Sequence, residues 1–237
     1  MTENVSFAGI TFEARHDHTY LTKLLSDYLS DGNAEFSLTV TPEMTGAERE
    51  ISDGGYTDGY LESLALYRAF CTRAAERGVI LFHSCVMESD GKAYLFAAPS
   101  GTGKTTHARL WMSTFGGGKM EYLNGDKPLL RVADGVPTVY GTPFMGKENY
   151  GHNGNAPIGG ICFLERGREN SITRITSGDA FASAMAQLFI PESGENAAVI
   201  IQTMTKILNS VPLWKMKCNI SEEAAKMSFS AMTGKEI

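Results

Sequence analysis

Between residues 57 and 77 the apolar positions Leu61, Leu64, Ala65, Ala69 and Ala75 recur at helical spacing, and Gly78 follows as a stop. That period predicts one amphipathic helix. The pattern then changes to a run over 79–86 rich in apolar and β-branched residues, a polar ESDGK turn and a second apolar run over 93–98. Two such runs around a tight polar turn predict a β-hairpin closed at Asp90 and Gly91. With a two-residue loop there, His83 stands opposite Ala98 at the end of the second strand. Further on, the pattern predicts a helix over 104–115, a strand over 120–124 and a second hairpin over 129–140 that turns at Asp134 and Gly135. Strands are expected over 161–164 and 172–175, and helices over 179–189, 195–209 and 221–232, with Ser177 and Ser221 as N-caps. A glycine- and asparagine-rich loop runs from 141 to 157. Ahead of residue 57 the pattern predicts short strands around 5–14 and 36–41, a helix near 20–28 and a polar loop over 42–55.

The chain has 237 residues, 43% hydrophobic and 20% charged, which suits one compact domain or one domain with a small appendage. Lys and Arg number 21 against 27 Asp and Glu, for a net charge of -6. Such a chain lacks the basic field that a nucleic-acid backbone requires, so nucleic acid is not an expected partner. No apolar stretch approaches the ~20 residues of a bilayer span. The opening MTENVSFAG has no basic segment followed by an apolar one, so the expected address is cytoplasmic. Cys71, Cys85, Cys162 and Cys218 are far apart, with no zinc-like spacing, and are expected to be reduced and mostly buried.

The chemistry is announced by APSGTGKTT, residues 98–106. It fits the phosphate-binding loop pattern with alanine in place of the first glycine. Small residues let successive backbone N–H groups point at phosphate oxygens, and the helix that begins there aims its positive end at the same charge. Pro99, Ser100, Gly101, Thr102, Gly103, Lys104, Thr105 and Thr106 are therefore the expected nucleotide-binding residues. Lys104 would reach the β- and γ-phosphates, and the Thr105 hydroxyl would complete the shell of a bridging Mg²⁺. The motif follows the apolar strand YLFA and precedes the helical HARLWM, as a phosphate loop requires. Asp126, in EYLNGDKP, is the candidate carboxylate at the end of a neighbouring strand. It could hold Mg²⁺ directly or through water, or take the proton of an attacking hydroxyl. By the hairpin register, the His83 imidazole stands beside the loop, where it could donate to a γ-phosphate or to the substrate.

Taken together, these pieces resemble the HPr kinase/phosphorylase and ATP-type phosphoenolpyruvate carboxykinase superfamily. PSGTGKTT looks like the carboxykinase loop, while the histidine-bearing strand, hairpin, loop and later aspartate follow the layout of the HPr kinase catalytic domain. In that family a histidine precedes the loop lysine by about the distance that separates His83 from Lys104. The resemblance covers residues 79–237 and is closest to small HPr-kinase-like proteins, whose GTP-x-x-GK-x-N-x-G segment is similar to residues 141–151. It implies an α/β fold: a P-loop kinase core with a mixed β-sheet flanked by helices, preceded by a small α+β region over 1–78. It also implies Mg²⁺, ATP with GTP not excluded, and phosphoryl transfer to a serine or similar hydroxyl on a peptide, protein or small metabolite. The family usually carries two adjacent aspartates at the second motif, whereas Gly125 precedes Asp126 here. One carboxylate would then serve where two share metal binding and proton abstraction. That departure favours the alternative class, a nucleotide-binding regulatory module or slow ATPase. The glycine-rich loop, with Lys147, Asn149, Tyr150, His152 and Asn153, is the expected place for substrate contacts. A homo-oligomer is compatible with this reading.

Overall fold

The computed structural model describes residues 1–52, 54–116 and 120–236. Asp53, inside the loop expected over 42–55, lies outside the described residues. The chain divides into two compact units, Met1–Arg77 and Gly78–Ile237. No helix among the described residues is long and apolar enough to cross a membrane.

In the first unit, strands β1 (Thr2–Phe7) and β2 (Ile10–Arg15) form a hairpin, with β3 (Ser37–Thr39) parallel to β2. The tight turn falls at Ala8 and Gly9, both at positive φ. Helices α1 (Thr19–Leu24), α2 (Pro42–Ile51) and α3 (Asp58–Ala74) complete the unit. Its core is aromatic: Phe70 lies 5.2 Å from Phe7 and 4.8 Å from Phe12 between ring centroids. The loop expected over 42–55 is corrected to helix α2 over most of its length. The Thr41 side chain accepts a hydrogen bond from the Met44 N–H, Pro42 occupies the first turn and Glu43 faces the positive helix end.

The second unit is a mixed α/β arrangement in which a curled sheet is flanked by helices. Strands β5 (Ser84–Ser89), β6 (Lys92–Ala97), β7 (Met120–Asn124), β10 (Asn155–Arg166), β11 (Ser171–Arg174) and β12 (Leu213–Cys218) lie in the order β7-β5-β6-β10-β12-β11. The first half of β10 leaves this order and pairs with β9 (Val136–Tyr140), which continues to β8 (Leu129–Ala133) and β4 (Ile80–Leu81). Helices α4 (Lys104–Phe115) and α7 (Glu222–Thr233) pack together and bury Trp111, Phe96, Trp214 and Phe229 in one cluster. Helices α5 (Ser177–Met185) and α6 (Ala197–Ser210) pack beside one another.

The hairpin closes at Asp90 and Gly91, both at positive φ, and pairs Ser84 with Ala97 and Ser89 with Lys92, in the register the turn predicts. Four expectations need correction. The run over 79–86 is two strands: after β4 the Phe82 N–H reaches the Pro128 carbonyl, the His83 N–H reaches that of Gln187, and the chain crosses to β5. The loop expected to end at 157 ends earlier, because β10 already begins at Asn155. Strand β12 lies between two expected helices, where the alternating exposure of Trp214, Lys215, Met216 and Lys217 has the period of a strand. Helix α5 is capped by Thr176, whose side chain accepts from the Asp179 N–H while the Asp179 carboxylate accepts from the Thr176 N–H in a capping box, so Ser177 is inside the helix.

Candidate phosphate site and its flanks

The sheet order explains why distant residues meet. Strand β5 is antiparallel to both β6 and β7, so its start lies beside the ends of those two strands. Strands β10 and β12 run parallel to β6, so their ends open on the same edge. That edge therefore collects His83 ahead of β5, the 98–106 loop after β6, Asp126 after β7, Arg166 at the end of β10 and Asn219 after β12. In a sheet with parallel strands this is the edge where ligands are ordinarily held.

The loop itself turns through two left-handed glycines, Gly101 at φ +75 and Gly103 at φ +119, and Gly103 caps α4. A side chain would strain either position. The first N–H groups of α4 have no acceptor within the helix and offer a site for an anion. Arg166 donates to the carbonyl oxygens of Gly101 and Thr102, the latter at 3.3 Å, which occupies two oxygens that would otherwise repel phosphate. Lys104 is only 7% exposed, and its Nζ donates to the Ala98 carbonyl at 2.8 Å. Burial lowers its pKa against the opposing pull of Asp126 and Cys85. A lysine held this way is poised for an anion, because a phosphate would return the solvation that burial removes.

Asp126 is placed by its backbone and by both carboxylate oxygens. Its N–H donates to Asn124 Oδ1 at 2.9 Å, and its carbonyl accepts from the Ser84 N–H at 3.1 Å. One carboxylate oxygen lies 2.9 Å from His83 Nε2 and the other 3.1 Å from Lys127 Nζ. Burial alone would raise its pKa, but the His83 hydrogen bond and the Lys127 charge override it and hold the group at about 2. Asp126 is thus a carboxylate throughout the neutral range. It suits cation binding and hydroxyl orientation better than proton storage.

The glycine-rich loop is anchored on this corner. Asn124, fully buried, donates to the Thr142 carbonyl and hydroxyl oxygens, each at 3.1 Å. The Lys127 N–H donates to the Phe144 carbonyl at 3.1 Å, and Tyr150 stacks on Tyr122 at 4.5 Å. Gly146, at φ +78, brings its backbone against Asp126: a Cβ there would lie 3.1 Å from the aspartate's own Cβ. Lys147 and Asn149 follow as exposed residues. Gly125 is tighter still. A Cβ on it would stand 2.5 Å from the Met145 carbonyl oxygen and 3.1 Å from that of Tyr150. The loop backbone occupies the space that a second aspartate would need.

On the opposite flank a cavity of about 540 Å³ opens beside the loop, between Thr106 and Leu110 of α4 and Arg166, Asn219 and Ile220 beyond the strands. The edge thus runs from Asp126, through the 98–106 loop, to this cavity. The sequence reading singled out Lys104, Asp126 and His83, and all three reach this edge. It missed Arg166, Asn124 and Asn219, because nothing near a strand end in sequence shows which loop it will face. Pro99 and Ser100 are exposed on the loop, while Thr102, Thr105 and Thr106 are half-buried.

No family model matches the chain, and no curated protein matches it. Among solved structures, the Hpr(Ser) kinase/phosphatase from Coxiella burnetii is similar to it with a TM-score of 0.34 and 11% identity, covering 65% of this chain and 93% of that one.

Proposed function

We propose that the chain is a Mg²⁺- and ATP-dependent phosphotransferase that moves the γ-phosphoryl group to a hydroxyl on a peptide, protein or small metabolite. The observation that carries this reading is the meeting of Lys104, Asp126 and His83 at one sheet edge. The triphosphate lies along the first turn of α4, with Lys104 exchanging the Ala98 carbonyl for phosphate oxygens. The nucleoside occupies the cavity beside Thr106, Leu110 and Asn219, and the acceptor hydroxyl approaches from the Asp126 side. Transfer forms the bond from acceptor oxygen to γ-phosphorus and breaks that to the β-bridging oxygen, leaving ADP, while the hydroxyl proton passes late to the Asp126 carboxylate and on to solvent. In a loose transition state most of the acceleration comes from positioning and charge stabilisation, so an ionised Asp126 that orients the hydroxyl is sufficient. His83 holds the orientation of Asp126 through its hydrogen bond.

The residues present fit a Mg²⁺ ion, since Asp126 is held ionised beside Lys104 and Thr105, the next residue of α4, offers a hydroxyl. When bound, the ion neutralises charge building on the β- and γ-phosphates. Lys127 would yield to it the Asp126 oxygen that its ammonium now contacts.

A second reading, a nucleotide-binding regulatory module or slow ATPase, is favoured by Gly125, where the Met145 carbonyl leaves no room for a second carboxylate. Radiolabelled ATP or GTP with Mg²⁺, offered with free serine, peptides and hydroxyl metabolites, separates the two. Asp126→Asn is expected to abolish transfer, by a factor of about 10² or more, while leaving nucleotide binding within a few-fold. Lys104→Ala is expected to weaken binding itself. Release of phosphate to water, equal in wild type and Asp126→Asn and with no labelled acceptor, favours the second reading. Absence of nucleotide binding by the wild-type protein at millimolar concentration defeats both.

A further inference from the structure

A second cluster of ligand-type side chains lies farther along β5 and β7. Glu88 and Glu121 are directly paired across these antiparallel strands, and His152 reaches them from the glycine-rich loop. One ligand atom from each of the three lies within 4.8 Å of the others. Opposed like charges in a sheet are destabilising, and no Lys or Arg among the described residues pairs with either carboxylate. Burial and the neighbouring Glu121 raise the pKa of Glu88.

The His152 imidazole is also held in place. Its Nδ1 lies 3.0 Å from the Tyr122 carbonyl oxygen and 3.9 Å from a Glu121 carboxylate oxygen, so nitrogen, carboxylate and carbonyl donors converge. A Cβ on Gly154 would stand 2.5 Å from Nε2, so the far edge of the ring has room only because residue 154 has no side chain. The His152 N–H, reaching the Leu123 carbonyl at 3.4 Å, fixes the same segment to β7. We infer that Glu88, Glu121 and His152 form a divalent-cation site, distinct from the nucleotide site, that ties the glycine-rich loop to the β5–β7 pair. One nitrogen among oxygen donors suits first-row ions such as Mn²⁺ or Zn²⁺, whereas Mg²⁺ prefers an all-oxygen octahedron that keeps several waters. On binding, the imidazole proton moves from Nδ1 to Nε2, and the lone pair at Nδ1 takes the metal. The consequence is regulatory: the loop whose Gly146 backbone touches Asp126 becomes cross-linked to the strands that carry Asp126.

The test uses the full chain without nucleotide, with Mn²⁺ and Zn²⁺ as probes and Mg²⁺ as the comparison. Isothermal titration, manganese spin resonance and thermal unfolding are read together, with folding of each variant checked by circular dichroism. One ion per chain and a raised melting temperature are expected, with Glu121→Gln and His152→Gln each weakening binding by 10-fold or more. Glu88→Gln is expected to raise the metal-free melting temperature, by removing the repulsion, and to abolish the metal-dependent rise. Lys104→Ala and Asp126→Asn should leave this binding unchanged. No saturable binding by the wild type, binding that survives Glu88→Gln and Glu121→Gln together, or binding lost in Asp126→Asn would each overturn the proposal.

Discussion

At the scale of single residues, Gly125 and His107 show how narrowly the site is built. Gly125 sits under the Met145 and Tyr150 carbonyls, so introducing a second aspartate by Gly125→Asp should displace the glycine-rich loop, not improve the site. Overpacking of this kind costs about 1–3 kcal/mol. The expected result is a lower melting temperature with no gain in phosphoryl transfer; a stable, more active variant would contradict it. His107 lies one turn into α4 beyond the 98–106 loop, 2% exposed, and its Nε2 is 2.8 Å from the Ser228 hydroxyl. Burial lowers its pKa to about 4 from an ordinary 6.5. A histidine depressed in the folded state contributes stability that is intact above the unfolded value and lost as pH falls toward the folded one, because the unfolded chain takes up the proton first. Between pH 6.5 and 4 the wild type should therefore lose on the order of 3 kcal/mol more than His107→Gln, as denaturant melts across that range would measure. The sequence made Lys104 and Asp126 legible through their motif and strand-end setting. Gly125 was legible only as a departure from a pattern; the steric reason for it lies in a loop some twenty residues away in sequence.

At the scale of elements, the helix behind the 98–106 loop is located by one hydroxyl. Ser228 on α7 receives the Trp111 indole N–H at 2.7 Å, meets His107 and passes its own proton to the Ala224 or Ala225 carbonyl, each at 3.1 Å. Ser228→Ala leaves two buried polar groups of α4 unpaired at once, which typically costs about 1–3 kcal/mol for each group. The expected outcome is a large fall in thermal stability together with weaker nucleotide binding, since α4 carries Lys104. Unchanged stability would show that α4 is held by its apolar face alone. Legibility at this scale follows the physics of each element. The β5–β6 hairpin could be registered from its Asp90-Gly91 turn, because turn length fixes pairing. The division between β4 and β5 could not, since Val79, Ile80, Phe82, Cys85 and Val86 are all buried whichever strand they join. Strand β10 was under-read for the opposite reason. Gly159 and Gly160 look like breakers, yet they lie against the rings of Tyr94 and Trp214, where a Cβ would collide. Helix α2 was hidden by its glycine and polar residues, and its signal was the Thr41-Pro42-Glu43 start.

At the scale of the whole molecule, every residue of the candidate site belongs to the second unit, Gly78–Ile237. That unit has its own core around Phe96, Trp111 and Trp214, and strands β5, β6 and β7 that bring His83, the 98–106 loop and Asp126 together pair only within it. The first unit has a separate aromatic core around Phe7, Phe12 and Phe70. A chain reduced to residues 78–237 should therefore fold and bind Mg²⁺-nucleotide with a dissociation constant within a few-fold of the full chain. Transfer to a free hydroxyl compound should persist as well, because positioning by Lys104 and Asp126 needs nothing from residues 1–77. If the first unit recognises the acceptor, transfer to a peptide or protein substrate should fall sharply in the shortened chain while KM for nucleotide stays constant. Measuring nucleotide affinity and transfer to a small and a large acceptor on both chains distinguishes these roles. A shortened chain that folds but does not bind nucleotide would show that the site is completed from outside the second unit, and the placement of the triphosphate along α4 would then be wrong.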